Sequence, residues 1–248
     1  MAASESIATR AFGKLQRLLA KRGYEIVRRR PDDPGGFGQN VEVTALKLAE
    51  RLARFDAGGF FETPEERALS QAVARFVGEA KRIVCLGPGT GVFEHFAAVD
   101  AALDILGLVP DADLLDWCQT HRVAANLEFT SLAPARVLEE YGSFDLALAI
   151  DVIDGTENFS DSLRQLTRLS ERAVVTVTNR ARSHEALISP RPIDPHHVRE
   201  WTAGELYWVL RGFYGVVELY GMPDPHVPQL ERAGLFSEMS PLIAVCEQ

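Results

Sequence analysis

The sequence lacks any apolar run of about eighteen residues, the length that a membrane-spanning helix requires. Its first nine residues also lack a basic region followed by an apolar one, which is the pattern of a secretory signal. We therefore expect a cytoplasmic protein. Hydrophobic residues make up 46% of the 248 residues and the mean hydropathy is -0.04, which suits one globular domain with a small extension.

Cysteine and net positive charge are also scarce. The three cysteines, Cys85, Cys118 and Cys246, lie far apart, which argues against a disulfide framework or a zinc site. Cys85 and Cys246 lie in apolar runs and are predicted to be buried thiols. The net charge of -9 gives no reason to expect nucleic acid as a partner. No spacing of histidines and acids predicts a metal site.

Residues 1–62 are predicted to form a helical extension, or lid, ahead of the main domain. Basic and apolar residues recur at near-helical spacing over 7–27, which indicates a basic amphipathic helix. We prefer the interpretation in which its apolar stripe packs on the core. The alternative is a weak contact between residues 7–30 and an anionic membrane surface or a partner. The proline- and glycine-rich stretch near 31–40 is the predicted linker.

The segment 82–91 has the most informative local pattern in the chain. Four apolar residues, 83–86, predict a buried strand, and the sequence GPGTG at 87–91 follows directly. Glycines at this spacing allow positive φ and leave main-chain N–H groups open to a ligand. The dinucleotide fingerprint GxGxxG would need glycine where Val92 stands, so the loop argues against an NAD or FAD domain.

Strand and helix patterns alternate after this loop, which predicts a parallel sheet with helices on both faces. Strands are predicted at 83–86, 104–109, 127–130, 144–150, 173–178, 216–220 and 241–246. Helices are predicted at 63–79, 92–102 and 113–124, from Ser160 onward, and at 202–210, the first and last with capping boxes. The topological switch point of such a sheet would place residues 87–91 beside residues 151–154.

GPGTG after an apolar strand resembles motif I of class I S-adenosylmethionine-dependent methyltransferases. The segment FDLALAIDVID at 144–154 is similar to the fourth strand of small-molecule members of that family, and VVTVTNR at 174–180 resembles the next strand. The last two predicted strands resemble the antiparallel hairpin that ends the family's seven-stranded sheet. Over residues 63–248 the resemblance implies an α/β, doubly wound, Rossmann-like domain with a mostly parallel sheet. It also implies S-adenosylmethionine as the cofactor and a small molecule as the methyl acceptor.

The resemblance also implies where the cofactor would bind. It places contacts at Gly87, Pro88, Gly89, Thr90, Gly91, Asp111, Ser131, Leu132, Asp151 and Val152. Acids that the family usually carries are absent at three positions. Cys85 stands where an acid helps to orient the loop, Val109 where an acid holds the ribose, and Ser131-Leu132 where an acid lies near the adenine. Asp111 is predicted to take over the ribose contact.

Two adjacent histidines after the fifth strand, His196 and His197, are the candidate catalytic bases. Histidine changes charge near neutral pH, so it can accept the proton of an acceptor hydroxyl. The alternative is that either side chain only caps a loop or packs under Trp201. Asp151 would place a negative charge near the sulfonium, whereas Asp154 is interpreted as a helix cap. The aromatic residues that follow are predicted to be core: Trp201, Tyr207, Trp208, Phe213 and Tyr214.

Three functions are consistent with these patterns. The preferred one is methyl transfer to a hydroxyl of a sugar, a glycolipid precursor or a secondary metabolite, because GPGTG is intact. The second is a methyltransferase-like domain that has lost catalysis and serves as a binding or scaffold protein, as the missing acids would allow. The third is a peripheral interaction protein that uses the basic N-terminal helix. The sequence predicts no oligomeric state.

Overall fold

The computed structural model describes residues 63–189, 191–195 and 197–248. The predicted extension over residues 1–62, with its basic helix and its linker near 31–40, lies outside the described residues. His196 lies outside them as well. What the sequence predicts for these residues therefore stays a prediction.

An eight-stranded sheet in the order β3-β2-β1-β4-β5-β8-β6-β7 forms the centre of the described domain. The strands are β1 (Arg82–Leu86), β2 (Asp104–Leu108), β3 (Leu127–Thr130), β4 (Leu146–Ile150), β5 (Arg172–Val177), β6 (Val216–Gly221), β7 (Glu231–Arg232) and β8 (Leu242–Glu247). β1 to β5 pair in parallel, and β8 is antiparallel to both β5 and β6. This confirms the doubly wound, mostly parallel sheet with a terminal antiparallel hairpin. The two-residue β7 is an addition to the seven predicted strands.

Helices cover both faces of this sheet. They are α1 (Pro64–Ala74), α2 (Val92–Ala97), α3 (Ala112–His121), α4 (Pro134–Tyr141), α5 (Phe159–Leu169), α6 (His184–Ile188) and α7 (Ala203–Arg211), with a 3-10 turn at Arg180–Arg182. Sequence periodicity did not reveal α4 or α6. They have eight and five residues, so each is too short for a periodic pattern to be recognised with certainty.

The predicted helix starts are confirmed, but three predicted helices are too long, among them α3, which ends at His121 rather than at 124. Thr63 Oγ1 accepts the Glu66 N–H at 3.0 Å, and Thr202 and Glu205 form a reciprocal capping box. α1 ends at Ala74 rather than near 79, because the backbone then turns through residues 75–79 and Gly78 has a φ of 59°. α2 likewise ends at Ala97 rather than 102, since turns follow.

The core lies on both faces of the sheet. The leucine stripe of α5, Leu163, Leu166 and Leu169, is completely buried, as its helical spacing predicts. Burying each such side chain contributes about 2 kcal/mol to the free energy of folding. All three cysteines are buried free thiols, which confirms the prediction for Cys85 and Cys246. No helix in the described ranges is long and apolar enough to cross a membrane.

The aromatic residues predicted to be core divide into two groups. Trp201 and Tyr214 are buried, and Tyr207 and Phe213 are partly buried against the core. The prediction is wrong for Trp208, whose exposed fraction is 68%. Trp208 lies on the outer side of α7, where only tertiary packing could have covered its ring.

Candidate functional site

The loops after β1 and β4 meet at the carboxyl edge of the sheet. β1 pairs with β2 on one side and with β4 on the other, so the chain connections diverge at this point. The loop after β1 lies against Val152, since a Cβ added to Gly87 would come within 3.4 Å of Val152 Cγ2. The structure therefore brings residues 87–91 together with the segment that starts at Asp151.

Each glycine of the loop adopts a left-handed conformation. The φ angles of Gly87, Gly89 and Gly91 are 59°, 57° and 64°. A side chain in this conformation costs about 1–2 kcal/mol per residue. Gly91 has a second constraint, because a Cβ there would lie 2.7 Å from Phe129 Cζ. The loop closes through the Gly91 N–H, which donates to the Pro88 carbonyl at 3.0 Å.

Four buried side chains lie beneath this loop and form what we call the loop-base cluster: Cys85, Glu94, Cys118 and Arg122. Arg122 Nε donates to the Thr90 carbonyl at 2.9 Å, and the Cys118 thiol donates to the Gly89 carbonyl at 3.5 Å. Thr90 itself is also buried. The cluster therefore holds two consecutive carbonyls of the loop from inside the protein.

Glu94 is the acid of the loop-base cluster, and it was not among the site residues predicted from the sequence. Burial raises the pKa of Glu94 to about 7, although its own backbone N–H, the Cys85 thiol and the Arg122 charge act in the opposite direction. Burial and the nearby Glu94 raise the pKa of Cys85, so its thiol stays protonated. A glutamate between Phe93 and Phe96 in a short apolar helix was the only sequence signal for this site.

The loops after β2 and β3 carry the positions at which the expected acids are missing. Val109 is buried against Cys118 and Phe129. Asp111 is exposed and caps α3, with Oδ1 accepting the Leu114 N–H at 2.8 Å. After β3, Ser131 is exposed, whereas the Leu132 N–H already donates to Thr130 Oγ1 at 3.2 Å. Asp111 thus keeps one carboxylate oxygen that takes no part in the cap.

Asp151, at the end of β4, is the one non-glycine residue with positive φ in the described chain, at 54°. Its N–H donates to Thr176 Oγ1 at 3.0 Å, and the Thr176 hydroxyl donates to Asp151 Oδ1 at 3.1 Å. Residues in this conformation concentrate at ligand sites, because the surrounding structure must hold them there. Thr176 on β5 holds Asp151 at the carboxyl edge, beside Val152.

Asp154 is not a helix cap, and that interpretation is wrong, because the N-cap of α5 is Asn158. Its buried Oδ2 accepts the Thr178 N–H at 2.6 Å. Its carbonyl accepts the N–H groups of Val198 and Arg199 at 2.8 and 3.1 Å. Burial raises the pKa of Asp154 to about 8, although the Thr178 N–H counteracts the shift. Asp154 thus attaches the segment after β5 to the end of β4.

His197 lies in this attached segment, and its side chain is only 9% exposed. Its Nδ1 is 3.8 Å from Glu200 Oε1, and its Nε2 is 3.9 Å from Asp194 Oδ2. Glu200 also accepts from Arg182 at 2.8 Å. Burial acts to raise the pKa of Glu200, but the hydrogen bonds from Arg182 and the Asp194 N–H together with the nearby charges outweigh it, and the pKa is lowered. His197 therefore sits between two acids, close to the sheet edge that carries Asp151.

A cleft of about 560 Å³ opens beside the same segment. It is lined by Arg180, Arg191, Arg199, Glu200, Trp201 and Trp208, among others. The Arg199 guanidinium lies over the rings of Phe159 and Trp201, 5.0 and 4.8 Å from their centroids. Ligand pockets commonly measure about 300–1,000 Å³. In the described residues no group of three histidine, cysteine or acidic side chains could hold a metal ion.

No protein-family model matches this chain, and no curated protein matches it. Solved structures do. The methyltransferase domain of bacterial CtHen1-CN is 16% identical, with a TM-score of 0.56 over 74% of this chain and 100% of that chain.

Two further structures contain S-adenosylhomocysteine (SAH). The plantazolicin methyltransferase BpumL, in complex with SAH and a triazolic desmethylPZN analog, is 11% identical, with a TM-score of 0.59 over 95% of this chain and 98% of that chain. The N-terminal domain of EvdMO1, in the presence of SAH and D-fucose, is 18% identical, with a TM-score of 0.51 over 74% of this chain and 82% of that chain. With the strand order and the glycine loop, these similarities show that residues 63–248 have the fold of class I S-adenosylmethionine-dependent methyltransferases.

Proposed function

We propose that this protein transfers the methyl group of S-adenosylmethionine to a hydroxyl group of a small molecule, such as a sugar, a glycolipid precursor or a secondary metabolite. One observation carries the proposal: the left-handed glycine loop after β1 lies against Val152, next to Asp151, at the switch point of the sheet. The presence of D-fucose in the EvdMO1 structure supports a sugar-like acceptor.

The residues at this edge suit the proposed cofactor. The loop of Gly87, Pro88, Gly89, Thr90 and Gly91 has no side chain at its three left-handed positions, so a ligand can approach its backbone. The cofactor supplies a methyl group that its sulfonium charge already activates. What the protein must add is orientation of the two reactants and removal of the acceptor proton.

Side chains after the strands complete the proposed cofactor site. Asp111 would bind the ribose hydroxyls through the carboxylate oxygen that does not cap α3. Ser131 and Leu132 would line the adenine, without the N–H of Leu132, which is already bonded. Asp151 would face the positive sulfonium, and Thr176 fixes its carboxylate.

The segment after β5 is proposed to bind the acceptor. His197 would take the proton of the acceptor hydroxyl, with Glu200 and Asp194 near its two ring nitrogens. His196 stays a second candidate for this role. Val198, Arg199 and Glu200 also line the 560 Å³ cleft, so we propose that the acceptor enters from that side. Contact of residues 7–30 with a membrane surface stays a separate proposal, to be tested by vesicle binding after their deletion.

Calorimetric titration with S-adenosylmethionine and with SAH tests the cofactor proposal. We expect micromolar dissociation constants for the wild type and loss of binding in Gly89→Ala. The matched control is Gly78→Ala, which changes a glycine of the same conformation (φ 59°) outside the loop and should leave binding intact. Absence of binding at millimolar ligand would overturn the proposal and favour the scaffold function.

A second experiment tests the reaction. Transfer of a labelled methyl group would be measured across a panel of hydroxyl acceptors. With an active acceptor, His197→Asn should lower turnover by about a hundredfold, the usual minimum contribution of a general base, while SAH binding stays unchanged. Full turnover in that variant would remove His197 from the mechanism and leave His196 to be tested.

A further inference from the structure

Cys85 is the starting point of this inference, because it stands where the resembled family carries an acid that helps to orient the loop. Its thiol is 2% exposed, faces the same side of the sheet as Phe93 of α2, and stays protonated. A neutral thiol carries no charge with which to attract a buried cation. If the glycine loop requires a carboxylate beneath it, another residue must provide it.

Glu94 on α2 provides a carboxyl group at this place. It is 2% exposed, and burial raises its pKa while the nearby Cys85 thiol acts to lower it. Its second oxygen, Oε2, is buried with no hydrogen-bond partner in the described part of the chain. Burying a carboxyl group away from water is costly, so its position against β1 calls for a compensating role.

Arg122, just after α3, links this carboxyl group to the loop. Its guanidinium carries a buried charge that attracts Glu94, while its Nε holds the Thr90 carbonyl at 2.9 Å. Cys118 holds the Gly89 carbonyl in the same way. The C=O and N–H of a trans peptide point in opposite directions, so the Thr90 N–H, which shares a peptide with the Gly89 carbonyl, points away from the cluster.

We propose that Glu94 is a positioning residue which, through Cys85 and Arg122, holds the glycine loop in the conformation that binds the methyl donor. The carboxylate absent from β1 is thus supplied from α2, nine residues further along the chain. This inference rests on the proposed function, since it concerns the same cofactor site. Glu94 acts through other residues and is not assigned any contact with the substrate.

The arrangement predicts that donor binding depends on pH. The groups that act on Glu94 are the Cys85 thiol on β1, the Arg122 guanidinium after α3 and the Glu66 carboxylate on α1. Burial and, after it, the Glu94 charge raise the pKa of the Cys118 thiol on α3. Since the pKa of Glu94 is about 7, its attraction for Arg122 is present above that pH and lost below it. SAH should therefore bind more tightly at pH 8 than at pH 6.

The test is calorimetric titration of SAH into the wild type and Glu94→Gln at pH 6 and pH 8. At pH 8 the variant should bind about tenfold more weakly, which corresponds to the loss of one charge-assisted interaction, and its affinity should not change with pH. Adding Cys85→Asp to Glu94→Gln returns a carboxylate to β1 and should recover affinity. Glu139→Gln, which removes an exposed charge on α4, is the matched control and should bind like the wild type.

The outcomes separate this inference from the proposed function. No binding by the wild type at either pH would overturn the proposed function and the inference with it. Equal affinity and equal pH dependence in the wild type and a folded Glu94→Gln would overturn the inference alone. If Glu94→Gln does not fold, the wild type decides, because an SAH affinity that is constant from pH 6 to pH 8 would overturn the role of Glu94.

Discussion

Glu94 and Glu200 are two buried glutamates at the same edge of the sheet, and each lies near an arginine. Glu200 accepts a 2.8 Å hydrogen bond from Arg182, and its pKa is lowered in spite of burial. The Arg122 charge also acts on Glu94, but burial outweighs it and raises the pKa to about 7. The comparison shows that the balance between desolvation and the opposing hydrogen bonds and charges, rather than burial alone, decides whether a buried acid stays ionised at neutral pH.

This difference in pKa separates the two sides of the candidate site. The donor side is the glycine loop with the loop-base cluster, and the acceptor side is the segment after β5. On the proposed acceptor side, Glu200 accepts from Arg182 and from the Asp194 N–H, and its Oε1 lies 3.8 Å from His197 Nδ1. On the donor side, the loop-base cluster contains an acid that changes charge near neutral pH. We therefore expect the proposed acceptor side to keep its charge near neutral pH and the proposed donor side to change its charge there.

Gly91→Ala should have the largest effect on stability, because it disturbs the donor side directly. Its φ of 64° costs a side chain about 1–2 kcal/mol, and a Cβ 2.7 Å from Phe129 Cζ adds about 1–3 kcal/mol of overpacking. We expect urea denaturation to show a loss of about 3 kcal/mol in the free energy of unfolding. Gly78→Ala, with the same φ but no atom closer than 4.0 Å, should lose about 1 kcal/mol. Equal losses of unfolding free energy in Gly91→Ala and Gly78→Ala would mean that the clash between the added Cβ and Phe129 has no effect.

Arg182→Met should have the next largest effect, because it leaves the Glu200 carboxylate buried without its guanidinium. Breaking a fully buried pair costs about 3–5 kcal/mol. Since the Arg182 side chain is 26% exposed, we expect a loss nearer to about 2 kcal/mol in the free energy of unfolding at pH 7.

The pH dependence of the same variant sharpens the comparison. The lowered pKa of Glu200 gives stability that is present above its unfolded pKa and lost as pH falls through its folded pKa. The difference between the wild type and Arg182→Met should therefore shrink toward pH 4. Arg172→Met, which breaks an exposed 3.7 Å pair with Glu247, is the control and should lose less than about 0.5 kcal/mol. A difference that is as large at pH 4 as at pH 7 would contradict the role of Glu200 charge.

Asp154→Asn should have the smallest effect, which is a change in how steeply the free energy of unfolding depends on pH. Burial raises the pKa of Asp154 to about 8, so the folded protein keeps a proton that the unfolded chain has already lost. That stability is complete below the unfolded pKa and is lost as pH rises through about 8. Between pH 6 and pH 8 the free energy of unfolding of the wild type should fall by about 1 kcal/mol per pH unit more than that of the variant. If urea denaturation gives the same pH dependence of the free energy of unfolding for the wild type and the variant, Asp154 is ionised in the folded state.

Much of the fold could be predicted from local sequence patterns. The strands β1 to β5 appeared within two residues of their predicted ends, because buried parallel strands are continuous apolar runs. The helix starts at Thr63 and Thr202 followed from side chains that cap the first turn. The helix ends were predicted less well, since α1 and α2 stop at turns that apolar periodicity does not reveal.

The sequence by itself determined the glycine loop, the leucine stripe of α5 and the alternation of strands and helices. These features depend on the backbone freedom of glycine and on periodic burial, which are properties of residues close together in the chain. Only the tertiary structure decided that Glu94 and Arg122 lie beneath the loop, that Asp154 attaches the segment of His197, and that Trp208 stays exposed. Each depends on which surfaces of distant elements meet, and a buried charge has a role only when that packing places a partner beside it.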